Sequence, residues 1–231
     1  HSLVLNLMWM LQISVIAYLC YKIQLGKKRV NSPLLSSDAQ FEPVKVCVQL
    51  PIYNEPKYIE GLIEGISDLD WPHDLLEIQV LDDSNDETPT LAGEAIVKAK
   101  IKHPNLTINH IRRDNRIGYK AGALNEGINL SDSEFFAVFD ADFRPEPGFL
   151  KKMMPSFRRE EDNIAAVQAR WSFDNEQENM LTKIQSILLK IHFALEHFGR
   201  SSADLCFNFN GTAGIWRRSA LLVRTKFPVG G

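Results

Sequence analysis

From Val44 onward, short runs of consecutive apolar residues alternate with stretches in which apolar positions recur every three or four residues. Val44 to Leu50 (VKVCVQL) has the first pattern and predicts a strand, and Glu55 to Leu69 has the second and predicts a helix. The alternation continues with a strand at Glu77 to Leu81, a helix from Pro89 to Ile101, a strand at Leu106 to Ile111 and a short helix at Ala121 to Leu130. Pro89 sits early in its helix, where a missing N–H costs nothing. A strand at Phe135 to Phe139, a helix from Pro147 to Phe157 and a strand at Ile164 to Ala169 complete the series. Such regular alternation implies right-handed crossovers and an α/β fold with a mainly parallel sheet. Glu178 to Phe198 places Leu181, Ile184, Leu188, Ile191 and Leu195 on one helical face. Packing on the sheet is the default expectation for that face, and a membrane-interface role is the other.

The segment before this series is different. Ser2 to Tyr21 carries no charge and has about the 20 residues that a helix needs to cross a bilayer. It lacks the basic leader and small-residue cleavage site of a signal peptide, and a buried helix is the remaining alternative. Lys22, Lys27, Lys28 and Arg29 follow, which places the rest of the chain on the cytoplasmic side of the membrane. Lys28 to Pro43 is polar and aperiodic, as a linker would be. The expected organisation is a transmembrane helix over 1–24, a linker over 25–43 and one domain over 44–231. A first residue that is not methionine, and an end at FPVGG, lead us to expect a fragment of a longer protein.

In parallel α/β sheets ligands bind beyond the carboxyl ends of the strands. PIYNE follows the first strand, DDSND the second and DADF the fourth, so three acid-containing motifs are expected on one edge. Asp140 and Asp142, two apart, project to one side if strand geometry persists. Paired carboxylates of this kind suit a hard divalent cation shared with substrate phosphates, namely Mg2+ or Mn2+. Asp86 or Thr88 is accounted for by helix capping. Asp82 and Asp83 are not, and a carboxylate there can accept hydrogen bonds from a base or ribose.

Composition narrows the remaining choices. A net charge of −3 gives no electrostatic footprint for nucleic acid. Three scattered cysteines build neither a disulfide framework nor a zinc site and fit a reducing compartment. The P-loop, the dinucleotide fingerprint and the G-x-S-x-G elbow are all absent. His192 and His197, five apart, fail the short zincin spacings.

Taken in order, QLPIYNE, WPHDLLEIQVLDDSNDET, RIGYKAGALNEG, FDADFRPEPGFL, VQARWSFDNEQENMLTKIQ and FNFNGTAGIWRR resemble the family 2 glycosyltransferases of GT-A fold. The likeness runs from Val44 to the end and lies within the processive cellulose-synthase-like group. It points to the mannan and glucan synthases of the cellulose-synthase-like A and C type and their bacterial relatives. The resemblance implies that Tyr53, Glu55, Asp82 and Asp83 line the base and ribose pocket of a nucleotide sugar. Lys120 approaches the nucleotide, and Asp140 and Asp142 hold Mg2+ or Mn2+ on its diphosphate. Gln168, Trp171, Asn210, Gly211 and Thr212 face the donor sugar and the glycan acceptor.

The implied activity is inverting transfer of a hexose from UDP-glucose or GDP-mannose onto a growing β-linked polysaccharide, at a plasma, inner or Golgi membrane with the catalytic domain in the cytoplasm. The T-E-D-like aspartate that serves the family as general base, and the later Q-x-x-R-W, are absent and expected beyond Gly231. The implied behaviour is donor binding with little or no polymer synthesis. Two alternatives stand beside this reading: transfer to a lipid, as in ceramide glucosyltransferases, and a nucleotide-binding scaffold without turnover. The intact Asp83, Asp140 and Asp142 speak against the scaffold. On fold grounds alone a nucleotidyltransferase is a third possibility.

Overall fold

The computed structural model describes residues 10, 12–18, 20–21, 42–158, 164–172, 176–193 and 209–223. Backbone contacts divide the chain into two compact units: residues 39–169 with 210–231, and residues 1–38 with 170–209.

The first unit contains the sheet. Its strands are β1 (Val46–Ile52), β2 (Leu76–Asp82), β3 (Thr107–Arg112), β4 (Phe135–Val138), β5 (Ala166–Gln168) and β6 (Gly214–Arg217). Their spatial order is β3-β2-β1-β4-β6-β5. β1 pairs in parallel with β2 and β4, and β2 with β3, whereas β6 is antiparallel to both β4 and β5. The expected mainly parallel sheet is therefore present, with β6 alone running the other way. Val46, Val48, Leu50, Ile78, Val80, Phe136 and Ala137 are fully buried. Burial on both faces is why these strands are unbroken apolar runs and not alternations.

Helices α1 (Ile59–Ser67), α2 (Thr88–Lys102), α3 (Tyr119–Asn129), α4 (Phe149–Met153) and α6 (Arg218–Val223) cover this sheet unit. α1 buries Ile59, Leu62, Ile63 and Ile66, the expected apolar stripe, and packs with α2. The helix expected from Pro147 to Phe157 is divided at Met154, where a 3-10 turn of residues Met154–Arg158 takes over. Pro155 has no N–H to continue the α-helical ladder.

α3 lies against β1 and β2 through a buried amide relay. Gln49 Nε2 donates to Gln79 Oε1 and to the Leu124 carbonyl, each at 3.1 Å. Gln79 Nε2 in turn donates to the Gly127 carbonyl at 3.0 Å and to Glu77 Oε1 at 3.2 Å. A Cβ on Gly127 would overlap Gln49 Nε2 and Gln79 Oε1. Gly127→Ala gains about 1 kcal/mol of helix propensity. It loses more, because overpacking costs about 1–3 kcal/mol and a stranded buried amide about as much again. We expect a lower Tm by roughly 4–8 °C in thermal unfolding, and an unchanged or raised Tm would show that the relay yields.

The second unit contributes α5 (Met180–Ile191), started by a reciprocal cap in which Asn179 Oδ1 accepts the Thr182 N–H at 3.0 Å and Thr182 Oγ1 accepts the Asn179 N–H at 3.1 Å. The burial expected by default for its apolar stripe is not observed. Leu181, Ile184, Leu188 and Ile191 are exposed, together with Met180 and Ile187, while Ser186 is fully buried. Of the expected span over 1–24, only residues 10, 12–18, 20 and 21 are described, and these are helical. No helix among the described residues is long and apolar enough to cross a membrane. The expected linker, Leu195, His197, Cys206 and the last eight residues lie outside the described residues or nearly so.

Candidate active site

The loops that leave β1, β2, β3 and β4 at their carboxyl ends, and the turn that enters β6, meet at one edge of the sheet unit. The β1 and β2 loops are joined to each other. Asn54, in the left-handed region at φ 56°, donates its backbone N–H to Ser84 Oγ at 2.9 Å. Its side-chain amide exchanges hydrogen bonds with Asn85, giving through Nδ2 at 2.9 Å and receiving the Asn85 N–H at 3.0 Å. Asparagine tolerates this backbone region better than most residues, so the sharp turn after Tyr53 does not need glycine.

Asp82 and Asp83, adjacent in sequence, serve differently. Asp82 is buried, accepts the Ser84 N–H at 2.9 Å and faces His110 Nε2 at 2.8 Å. Since an ionised carboxylate can only accept, His110 carries its proton on Nε2. Burial pushes the Asp82 carboxyl up, but the bonds from His110 and Ser84 outweigh burial and hold it below its ordinary value. A depressed carboxyl stabilises the fold above its unfolded pKa, near 3.9, and loses that contribution as pH falls through the folded value. Asp82→Asn should therefore lower the Tm at pH 7, with the gap to the unsubstituted chain closing below about pH 4. A gap independent of pH would place the effect elsewhere.

Asp83 is held by Arg113 through both oxygens, Nε to Oδ1 at 2.9 Å and Nη2 to Oδ2, with the two side chains only 7% and 6% exposed. Arg113 also donates to the carbonyls of Ile117 at 3.0 Å and Tyr119 at 3.1 Å. It thereby fixes the turn between β3 and α3 to the end of β2. Gly122 leaves room for this, since a Cβ there would overlap the Ile117 carbonyl and the Arg113 guanidinium. The same turn carries Arg116, whose guanidinium carbon lies 3.2 Å above the centre of the Tyr53 ring.

β4 ends at Val138, so Asp140 and Asp142 stand in the turn beyond it, and the expectation of strand alternation between them does not hold. The Asp140 N–H donates to Thr212 Oγ1 at 3.0 Å. Its carboxylate receives Lys120 Nζ from the first turn of α3, and the same ammonium donates to the Gly211 carbonyl at 2.9 Å. Asp142 is exposed and makes no hydrogen bond or ion pair among the described residues. Glu55 faces this pair: partial burial, then the negative charges of Asp142, Asp140 and Asp86, raise its carboxyl. Asp86 has the local role expected of it, accepting the Thr88 N–H at 2.9 Å as α2 begins.

Gln168 and the turn before β6 form the remaining wall. Gln168 Nε2 donates to the carbonyls of Thr212 at 2.8 Å and Ala213 at 3.0 Å, and its Oε1 accepts the Asn210 N–H at 3.2 Å. Gly211 and Ala213, both with positive φ, give the turn its reversal. Gln168 thus holds the backbone that presents Thr212 to Asp140. Trp171 belongs to the second unit, where it meets Phe193 edge to face at 5.9 Å.

Among the described residues no group of three or more His, Cys, Asp or Glu side chains is disposed to enclose a metal ion. What this edge offers is a pair of carboxylates, Asp140 and Asp142, with Glu55 close enough to feel their charge. Two hard oxygen donors with open positions fit a Mg2+ or Mn2+ ion that completes its shell from a diphosphate and water.

The acids on this edge are legible in the sequence, whereas Arg113 and Arg116 are not marked by it. The available signal is the run HIRRDNR, in which Arg112 ends a strand and Arg113 and Arg116 follow it on the binding edge. Whether an arginine there meets Asp83 or Tyr53 depends on pairing between β2 and β3, which residue spacing does not encode.

The family model described as Glycosyl transferase family 2 matches residues 47–221. Glucomannan 4-beta-mannosyltransferase 2 of Arabidopsis thaliana is 45% identical over 179 residues, covering 76% of this chain and 33% of that protein. Probable glucomannan 4-beta-mannosyltransferase 9 of Oryza sativa subsp. japonica is 40% identical over 200 residues, covering 85% and 37%. The chain thus spans about a third of the length of these relatives. Among solved structures, a mannosyltransferase from Pyrobaculum calidifontis in complex with GDP-Man and Mn2+ superimposes with a TM-score of 0.65 at 24% identity, over 94% of this chain and 56% of that one. That likeness is one of fold.

Proposed function

The chain belongs to glycosyl transferase family 2, and from that premise we propose that it carries the donor site of a metal-dependent, inverting hexosyltransferase that builds a β-linked polysaccharide. The observation that supports this most directly is the convergence of Asp140, Asp142, Glu55 and Lys120 at one place on the binding edge. The named activities of the plant relatives, and the GDP-Man bound by the archaeal enzyme, favour GDP-mannose over UDP-glucose as donor.

In this reading Asp140 and Asp142 would hold Mg2+ or Mn2+, which would supply Lewis-acid compensation for the charge on the departing diphosphate. Lys120, already within reach of Asp140 and the Gly211 carbonyl, adds a cation beside the same phosphates. Thr212 fixes the Asp140 backbone and Gln168 fixes the Thr212 turn, so the carboxylate keeps its direction while the diphosphate leaves. Tyr53 and the Asp82–Asp83 corner receive the nucleoside. The Asn210–Thr212 turn, held by Gln168, faces the sugar and the acceptor, and the acceptor hydroxyl attacks the anomeric carbon from the side opposite the diphosphate with the help of a general base.

The experiment that tests this is calorimetric titration with GDP and UDP, each with and without Mn2+. Mn2+-dependent binding, tighter for GDP, is the expected outcome. Absence of binding by either nucleotide would sink the reading.

We further place the protein on a membrane, with the span over 1–24, the linker over 25–43 and the transferase domain over 44–231 in the cytoplasm. The uncharged opening segment and its basic flank support this, as does the exposed apolar stripe of α5. Asn105, Asn129 and Asn210 each begin an N-x-[ST] triplet. They should stay unmodified in a eukaryotic host, and glycans on them would reverse the orientation.

A further inference from the structure

The turn after β4 carries a cation that neither the sheet nor the donor-site residues assigned above account for. Arg144 stands two residues beyond Asp142, is exposed, and pairs with no carboxylate among the described residues. The next acid along the chain, Glu146, is taken by Lys152. Arg144 turns back instead. Its Nη1 donates to the Phe143 carbonyl at 2.9 Å and to the Ala141 carbonyl at 3.3 Å, the residues directly after and before Asp142.

α1 backs this contact. A Cβ on Gly61 would stand 3.0 Å from Arg144 Nη2, 3.4 Å from Cζ and 3.5 Å from Nε, so the guanidinium lies over a helix position that has no side chain. A planar group with donors in fixed directions, set against such a position, has little room to swing. Asp142 is the residue that needs the support. Its carboxylate touches nothing among the described residues, so its backbone alone aims it. Of the two peptide units that flank it, the one after it gives the Phe143 N–H to the Asp140 carbonyl at 3.1 Å. The one before it is tied through the Ala141 carbonyl, and there the donor is Arg144.

We propose that Arg144 is a positioning residue for metal binding: its guanidinium, seated on Gly61, fixes the backbone from which Asp142 reaches the cation. The proposal rests on the donor-site reading above. Hydrogen bonds that orient a metal ligand from behind act on affinity for the metal, and not on the nucleotide directly.

Calorimetric titration with GDP, at a series of Mn2+ concentrations and without Mn2+, tests this on the unsubstituted chain, Arg144→Ala, Arg144→Lys and Gly61→Ala. Arg144→Ala should raise the Mn2+ concentration that half-supports GDP binding about tenfold, and GDP affinity without Mn2+ should not change. Arg144→Lys should behave like the alanine variant, because an ammonium keeps the charge and loses the fork. Gly61→Ala should give the same shift with every charge intact, since its methyl displaces the guanidinium. Its Tm should nevertheless rise by about 2–4 °C, from the gain in helix propensity. A purely structural arginine does not couple a stabler fold to weaker metal support. Rescue by lysine, or an ordinary Mn2+ response in Gly61→Ala, would assign the effect to charge and overturn the proposal. Equal losses with and without Mn2+ would place Arg144 on the nucleotide and overturn it as well. An unchanged Mn2+ response in Arg144→Ala would leave only a surface contact. Should the unsubstituted chain bind no GDP in Mn2+, the donor-site reading fails and takes this inference with it.

Discussion

Asp142→Asn should weaken Mn2+-dependent nucleotide binding severely while leaving the fold as stable as before. Asp142 is exposed and bonded to nothing among the described residues, so no folding contact is lost with its charge. Its negative charge is one of those that raise the Glu55 carboxyl, so its removal relieves repulsion. A carboxylate beside a divalent cation is worth several kcal/mol at the effective dielectric of a protein surface. Loss of about a hundredfold in Mn2+-supported affinity, or roughly 2.7 kcal/mol, is accordingly expected. Asp140→Asn makes the informative contrast. Asp140 also receives Lys120, so its substitution frees the ammonium as well and should affect nucleotide binding even without metal. If Asp142→Asn titrates like the unsubstituted chain with Mn2+ present, the carboxylate pair is not the metal site.

The parts of this site that were legible beforehand are those set by a single segment. β1, β2 and β4 declare themselves as apolar runs because helices or loops cover both their faces, and a run that stops at an acid locates the binding edge. Asp140 and Asp142 could be placed at that edge from position alone, although the strand stops at Val138 and their spacing carries no strand geometry. What could not be read is whatever two distant segments decide together. β6 is four residues, Gly214–Arg217, with no period to mark it, and it is a strand because β4 and β5 leave a slot between them. Gln168, expected to face sugar, has its amide engaged by the Thr212, Ala213 and Asn210 backbone, an arrangement that exists only once β5 lies beside β6. α5 shows the limit of periodicity as evidence. Periodicity says only that a face is apolar, and Ser186 occupies the side that is buried.

The second large effect is expected at Arg113. Arg113→Ala removes the partner of an almost fully buried carboxylate, and an uncompensated charge of that kind costs about 3–5 kcal/mol. It also releases the Ile117 and Tyr119 carbonyls to solvent, so the turn that Arg113 holds loses its three anchors together. At roughly 2–4 °C per kcal/mol for a domain of this size, the Tm should fall by about 10 °C. Arg113→Lys retains the charge and cannot make the two-pronged contact, so it should fall between. The decisive comparison is Arg113→Met combined with Asp83→Leu. Replacing a buried ion pair by apolar side chains is often neutral for stability, so the double variant should recover most of the lost Tm. Nucleotide binding should not recover with it, because Asp83→Leu also removes a carboxylate from the corner that receives the nucleoside, and the β3–α3 turn is no longer tied to the end of β2. Recovery of stability and binding together would mean that the pair serves packing alone, and that the β3–α3 turn finds its place without it.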